Sequence, residues 1–89
     1  MNSATTPKFR QAFARLPRDV QGRVRKAYHL WRQDHGHPSL HFKKIGKVWS
    51  ARIDSNNRAL AHVVGDTAYW FWIGPHDEYE KLISQYRKH

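Results

Sequence analysis

The 89-residue chain contains no cysteine, only seven acidic residues and no long apolar run. Without cysteine it can form no disulfide and offers no thiolate to a metal. No stretch approaches the roughly 20 apolar residues that a membrane span needs, and the short polar segment 1–6 is unlike a secretory signal. We therefore predict a cytoplasmic protein that does not contact membranes, folded as one domain over residues 1–89.

The scarcity of acidic residues leaves a large positive surplus. Sixteen Lys and Arg stand against seven Asp and Glu, which gives a formal net charge of +9 with His neutral. A surplus of this size on a small protein favours a polyanion, such as nucleic acid, or an acidic protein as its partner. The same charge could instead serve solubility alone.

Several motifs of catalysis and cofactor binding are also missing. The sequence has no glycine-rich phosphate loop, no nucleophile elbow and no HExxH zinc motif. Its strand-like segments carry no paired carboxylates, which disfavours glycosidase-type chemistry. His35, His37 and His41 are close together, but they flank a Gly–Pro turn without a cysteine or carboxylate pattern. We predict no metal site and no small-molecule cofactor.

The hydrophobic period of the chain changes twice. Apolar residues at three- and four-residue spacing predict a short helix over residues 8–15 and a longer one that begins at Pro17. Segments rich in β-branched and aromatic residues, separated by Gly and Asn turns, then predict strands. The predicted strands cover residues 40–43, 48–53, 58–64 and 67–73. After Pro75 the helical period returns.

This order of elements predicts an α+β fold. We expect a small antiparallel sheet of about four strands, with two N-terminal helices and one C-terminal helix against one sheet face. Residues 1–6 are expected to be a loose end or a short edge strand. Tyr79, Leu82, Ile83 and Tyr86 form the apolar stripe by which the last helix would dock.

Basic residues lie on or beside the predicted strands, where charged side chains normally face solvent. They are Lys43, Lys44, Lys47, Arg52 and Arg58. The face that they form is either a plain exposed surface or one that grips a phosphate chain while nearby aromatics stack bases. Arg58 follows a turn, so its guanidinium could also serve only as a turn clamp.

His76 lies between the last predicted strand and the last predicted helix. Imidazole is the side chain that titrates near neutral pH without help from its surroundings. The N-terminal end of a helix also attracts anions such as phosphate. His76 is therefore a candidate proton donor to a phosphate-bearing substrate, with a helix cap or a packed side chain as the alternative.

Four stretches of the chain, taken together and in order, resemble the RelE/ParE superfamily of toxins from bacterial toxin–antitoxin systems. They are LPRDVQGRVRKAYHLW, HPSLHFKKIGKVWSARI, NNRALAHVV and WFWIGPHDEYEKLI, and they cover nearly all of the chain after Lys8. The last stretch is most similar to ribosome-dependent mRNA endonucleases that end their sheet with a Gly-x-His motif. The resemblance implies a small curved antiparallel sheet with helices packed on it.

The resemblance also implies a site. RNA-cleaving members cut mRNA in the ribosomal decoding site without a metal, by attack of the RNA 2′-hydroxyl on the adjacent phosphate. Their strand arginine, a phosphate ligand, matches Arg58, and a basic residue on the preceding strand matches Arg52. The acid at the end of their sheet matches His76. Many members carry a second basic residue on the middle strand, where this chain has Ser50.

The role of general base therefore stays open between Lys43 and Tyr79. A toxin of this kind implies a cognate antitoxin, which the net charge predicts to be acidic, and mRNA on the ribosome as its second partner. The superfamily also includes DNA-gyrase inhibitors and members without demonstrated toxicity. A gyrase inhibitor and a basic RNA-binding domain without activity thus remain as alternatives to the endoribonuclease.

Overall fold

The computed structural model describes residues 1–87, which form a five-stranded sheet with helices on both faces. The elements in chain order are β1 (Asn2–Thr5), α1 (Pro7–Ala14), α2 (Arg18–Gln33), a 3-10 turn (Pro38–Leu40), β2 (Lys43–Ile45), β3 (Val48–Arg52), β4 (Asn57–Val64), β5 (Thr67–Pro75) and α3 (His76–Arg87). The strands are ordered β1-β5-β4-β3-β2 across the sheet. No helix in this part of the chain is long and apolar enough to cross a membrane. The predicted α+β fold class is confirmed.

Strands β2 to β5 form an antiparallel meander. Gly46 and Gly65 stand in the first and last of its turns, with φ angles of 58° and 61°. Such left-handed values suit glycine because it has no Cβ, and they match the tight turns that join neighbouring strands. Because each hairpin is formed by adjacent segments, the turn residues and the β-branched and aromatic runs of the sequence were enough to predict β3, β4 and β5.

The first predicted strand is the exception. Leu40 lies in the 3-10 turn, His41 follows it with a left-handed φ of 44°, and β2 begins only at Lys43. The side chain of His37 accepts a hydrogen bond from the backbone N–H of Ser39 and so caps this turn. The capped turn overrides the alternating pattern that predicted a strand over residues 40–43.

The N-terminal residues form an edge strand, which settles the two alternatives for residues 1–6. β1 runs parallel to β5, with Asn2 opposite Thr67 and Thr5 opposite Trp70. The sheet is therefore mixed and has five strands, where four antiparallel strands were expected. The short polar sequence of β1 carries little strand signal, because its ordering depends on a partner far along the chain.

The sheet separates two apolar clusters, because successive side chains of a strand point to opposite faces. α1 and α2 pack over one face, on a cluster that includes Trp31, Ala51 and Trp70. α3 packs over the opposite face, on Val48 and Leu60. The expectation that all helices lie against one face is thus wrong. Helical periodicity identifies the buried stripe of a helix but not the sheet face that receives it.

A signal for two covered faces is present in β4. Ala59, Leu60 and Ala61 are consecutive and all buried, as expected of a strand that is covered on both sides. The docking stripe of α3 is confirmed, since Tyr79 is 5% exposed and Ile83 is fully buried.

Candidate functional site

Two arginines lie side by side on the face that α3 covers. Arg52 on β3 is directly opposite Arg58 on β4, and the next position across, on β5, is Gly74. We call these three positions the arginine row. Like charges directly opposite each other destabilise a strand pair. The row is therefore unfavourable for the protein alone and becomes favourable when an anion lies between the guanidinium groups.

The glycine of the row makes room for an aromatic ring. A Cβ atom on Gly74 would lie 2.8 Å from Cζ2 of Trp72, whose side chain belongs to the same face. Any larger residue at this position would require the Trp72 ring to move. The row thus consists of two guanidinium groups followed by a half-buried indole, a combination of charge and stacking surface that suits nucleic acid.

Arg58 also acts as a turn clamp. Its Nη1 donates hydrogen bonds to the backbone carbonyls of Asp54, at 2.5 Å, and Asn57, at 2.9 Å. A guanidinium has five N–H donors, so this clamp leaves others for an anion. Within residues 1–87 Arg52 makes no side-chain hydrogen bond and no ion pair. Arg58 is held in place, whereas Arg52 is free to reach for a ligand.

Asp54 organises the turn between β3 and β4, a role that sequence reasoning missed. Its carboxylate accepts hydrogen bonds from Asn56 N at 2.8 Å, from Asn57 Nδ2 at 3.1 Å and from Arg23 Nε of α2 at 2.8 Å. Burial by itself would raise the pKa of Asp54, but these hydrogen bonds outweigh it and lower the pKa below its ordinary value. The ionised carboxylate therefore fixes the turn that precedes Arg58. The Asp-Ser-Asn-Asn composition of this turn was the available signal.

His76 is the first residue of α3 and is tied to the same turn. Its backbone N–H donates to the carbonyl of Asn56 at 2.7 Å. Its side chain is 42% exposed, and Nε2 lies 3.2 Å from Oε1 of Glu80, one helical turn later. Glu80 thus orients the imidazole and leaves Nδ1 available. The turn, Arg58 and His76 meet at one end of the sheet.

Tyr79 lies in the interface between α3 and the sheet. Its side chain is 5% exposed, and its hydroxyl accepts a hydrogen bond of 3.0 Å from Oγ of Ser50, which is 3% exposed. A buried polar group needs such a partner. The pair fixes α3 on β3.

The three lysines of this region are divided between different surfaces. Lys43 pairs with Ser50 and therefore shares the face of Arg52, whereas Lys44 pairs with Trp49 and points to the face of α1 and α2. Lys47 stands in the turn between β2 and β3. Of the five basic positions singled out in the sequence, the structure brings Lys43 and the arginine row onto one face.

The clustered histidines have separate contacts. Nδ1 of His37 is 2.9 Å from Oγ of Ser39, and the His35 ring lies 6.2 Å from the rings of Trp31 and Phe42. The part of the chain that the structure describes contains no group of three or more potential metal-binding side chains.

Solved structures of similar shape identify the fold. A chain of the RelB–RelE antitoxin–toxin complex from Methanococcus jannaschii has a TM-score of 0.69 at 16% identity, over 88% of this chain and 95% of that chain. YafQ from E. coli strain BL21(DE3) has a TM-score of 0.66 at 7% identity, over 88% and 96%. The isolated E. coli RelE toxin has a TM-score of 0.62 at 9% identity, over 94% and 96%. No protein-family model and no curated protein matches the sequence. The resemblance to RelE-like toxins is thus confirmed at the level of the fold.

Proposed function

We propose that this protein is the toxin of a toxin–antitoxin system and that it cleaves mRNA on the ribosome. The observation that carries the proposal is the arginine row, in which Arg52 and Arg58 lie directly opposite each other on neighbouring strands. His76 is the first residue of α3, and its backbone N–H is hydrogen-bonded to the turn beside that row. A pair of phosphate ligands and a titratable donor are the groups that cleavage of an RNA phosphodiester requires.

The chemistry needs little from the protein because RNA supplies its own nucleophile. The 2′-oxygen forms a bond to the adjacent phosphorus while the bond from phosphorus to the 5′-oxygen breaks, which leaves a 2′,3′-cyclic phosphate. Arg52 and Arg58 stabilise the negative charge that grows on the phosphate oxygens. His76 donates a proton to the departing 5′-oxygen. The ribosome holds the mRNA in line for the attack.

Of the two candidates, Lys43 rather than Tyr79 is placed to assist loss of the 2′-hydroxyl proton: its ammonium group stabilises the 2′-oxyanion as the proton passes to solvent water. The Tyr79 hydroxyl is buried and bonded to Ser50, so it is not available to a substrate without breaking the docking of α3. Lys43 is exposed and shares the face of the arginine row. In this scheme Tyr79 is a positioning residue that keeps α3, and with it His76, against the sheet.

The same row defines the partner that would silence the toxin. The solved structures of similar fold include complexes of RelE with the antitoxin RelB. With a net charge of +9, this chain would attract an acidic antitoxin segment, and carboxylates lying between Arg52 and Arg58 would occupy the place of the RNA phosphate. A cognate antitoxin that leaves both arginines accessible would contradict this part of the proposal.

The proposed activity is tested by adding the purified protein to ribosomes that translate a defined mRNA. We expect cleavage within the coding sequence, products that end in a 2′,3′-cyclic phosphate, and no effect on supercoiling by purified DNA gyrase. Inhibition of gyrase without cleavage would identify a gyrase inhibitor. Salt-sensitive RNA binding without either effect would identify an RNA-binding domain that has no activity.

Two adjacent lysines provide a matched pair of variants. Lys43→Ala is expected to lower the rate of cleavage by about tenfold to a hundredfold, since it removes a group that assists proton transfer. Lys44→Ala removes the same charge from the opposite face and should leave the rate within about twofold of wild type. Both variants lose the same non-specific attraction to phosphate, so any further loss in Lys43→Ala reports its position beside the arginine row. Single-turnover cleavage on the ribosome measures both. Equal losses would mean that Lys43 contributes charge alone.

A further inference from the structure

A cavity of about 310 Å³ lies on the other side of the sheet, between its surface and the pair α1 and α2. Its walls include Phe9, Phe13 and Trp31, and its floor includes Ala51 and Ala59. The two alanines are directly opposite each other on β3 and β4. The cavity therefore exists because the smallest side chains of the core meet beneath the longest helix.

The volume is too large for a packing defect. The space is half open to solvent, so it is a cleft between the helices and the sheet and not a closed void in the interior. Its lining is almost wholly apolar, so water is a poor occupant. Ligand pockets begin at about 300 Å³ and have the same apolar character.

The indole of Trp31 forms part of the cavity wall and carries a buried N–H donor. Trp31 is 2% exposed, and within residues 1–87 its indole N–H has no acceptor in reach. A buried donor without a partner is costly, and Trp31 stands in the cavity wall. The nitrogen itself has almost no accessible surface, so an occupant of the cavity would touch the indole ring rather than the N–H group.

Two arginines complete the lining. Arg10 and Arg25 are both exposed and both belong to the cavity. Arg10 donates through Nη1 to the carbonyl and hydroxyl of Thr5, which leaves its other N–H groups available. The Arg25 guanidinium lies 5.3 Å from the centre of the Phe13 ring. No lining residue is acidic, so both charges remain open to an anion.

We propose that this cavity binds a small carboxylate amphiphile of the fatty-acid class. The apolar chain fills the space above Ala51 and Ala59, and the carboxylate lies at the mouth with Arg10 and Arg25. Charge complementarity selects the carboxylate among amphiphiles, because a cationic or neutral head group would leave both guanidinium groups without a partner. The site is separate from the arginine row and does not depend on the proposed cleavage of RNA.

The experiment is a titration of the full chain with decanoate, in which binding is monitored by the ¹H–¹⁵N NMR signal of the Trp31 indole. The variant Trp31→Phe identifies that signal by its disappearance. Decanoate should shift this signal in a saturable manner. Decyltrimethylammonium, which has a chain of the same length and the opposite charge, should bind at least about tenfold more weakly. Equal affinity for the two amphiphiles would overturn the choice of a carboxylate.

Variants locate the binding within the molecule. Ala59→Leu fills the floor of the cavity and should abolish binding, and Ala51→Val serves the same purpose if circular dichroism shows that Ala59→Leu does not fold. Arg25→Gln should weaken decanoate by about tenfold, the loss expected for one charge-assisted hydrogen bond. Lys26→Gln removes the same charge from the next position of α2, outside the lining, and should leave affinity unchanged. Decanoate affinity that survives cavity filling, or falls equally in the Arg25 and Lys26 variants, would overturn the proposal.

Discussion

His76→Ala is expected to reduce cleavage of ribosome-bound mRNA by about 10²- to 10⁴-fold, the range over which a general acid contributes to a reaction. The 5′-oxygen is a poor leaving group unless it is protonated as its bond to phosphorus breaks. His76 is half exposed at the first position of α3, so the substitution removes the proton donor and opens no cavity. We expect the free energy of unfolding to change by less than about 1 kcal/mol. Single-turnover cleavage and urea unfolding measure the two quantities.

A second exposed histidine supplies the control. His62 lies on β4, where its ring stacks on Phe71 with 4.3 Å between the ring centres. His62→Ala therefore removes an imidazole and an aromatic contact without touching the end of the sheet where α3 begins. Its cleavage rate should stay within about threefold of wild type, allowing for lost stacking. Unimpaired cleavage by His76→Ala, or an equal loss in His62→Ala, would count against a general acid at His76.

Arg58→Ala is expected to lower cleavage by about 10²- to 10³-fold, as for the loss of one donor that stabilises transition-state charge. It also frees the carbonyls of Asp54 and Asn57 from their donor, which should destabilise the fold by about 1–3 kcal/mol. Arg58→Lys keeps the charge but loses the planar fork of donors. Its cleavage rate should fall between those of wild type and alanine. Cleavage assays and thermal unfolding separate the catalytic loss from the structural loss.

The structural part of that loss has its own control in α2. Arg23 donates to the Asp54 carboxylate at 2.8 Å, so Arg23→Ala loosens the same turn and removes one positive charge. It leaves both guanidinium groups of the arginine row in place. We expect it to reduce stability with less than about threefold loss of cleavage, since an exposed ion pair is worth at most about 1 kcal/mol. If Arg23→Ala loses as much activity as Arg58→Ala, Arg58 acts only as a turn clamp.

The elements that could be predicted from the sequence are those stabilised by contacts between residues close together along the chain. The meander from β2 to β5 has β-branched and aromatic segments joined by turns with glycine, such as those at Gly46 and Gly65, and each hairpin forms from adjacent residues. β1 pairs with residues that are distant in sequence, and α3 docks on a face that periodicity does not specify. Both depend on long-range pairing, so local pattern could not predict them.

The candidate site divides in the same way. Arg52, Arg58 and His76 were identifiable as basic or titratable residues near strand ends, but the alignment of the two arginines in one row is a property of register. Asp54 was missed because one of its partners, Arg23, belongs to a distant helix. Tyr79 was a candidate base, although it is also a member of the apolar stripe of α3. Its place in the apolar stripe was the better guide to its role, since the structure buries the Tyr79 side chain.

The parallel pairing of β1 with β5 has a consequence for the order of folding. The strands that carry the arginines can assemble from local hairpins, whereas Asn2 must wait for Thr67 to be synthesised before it has a partner. Loop closure over so long a separation slows folding. During synthesis the hairpin of β3 and β4, which carries both arginines, would therefore form first, and the edge strand β1, which leads directly into α1, would be added last.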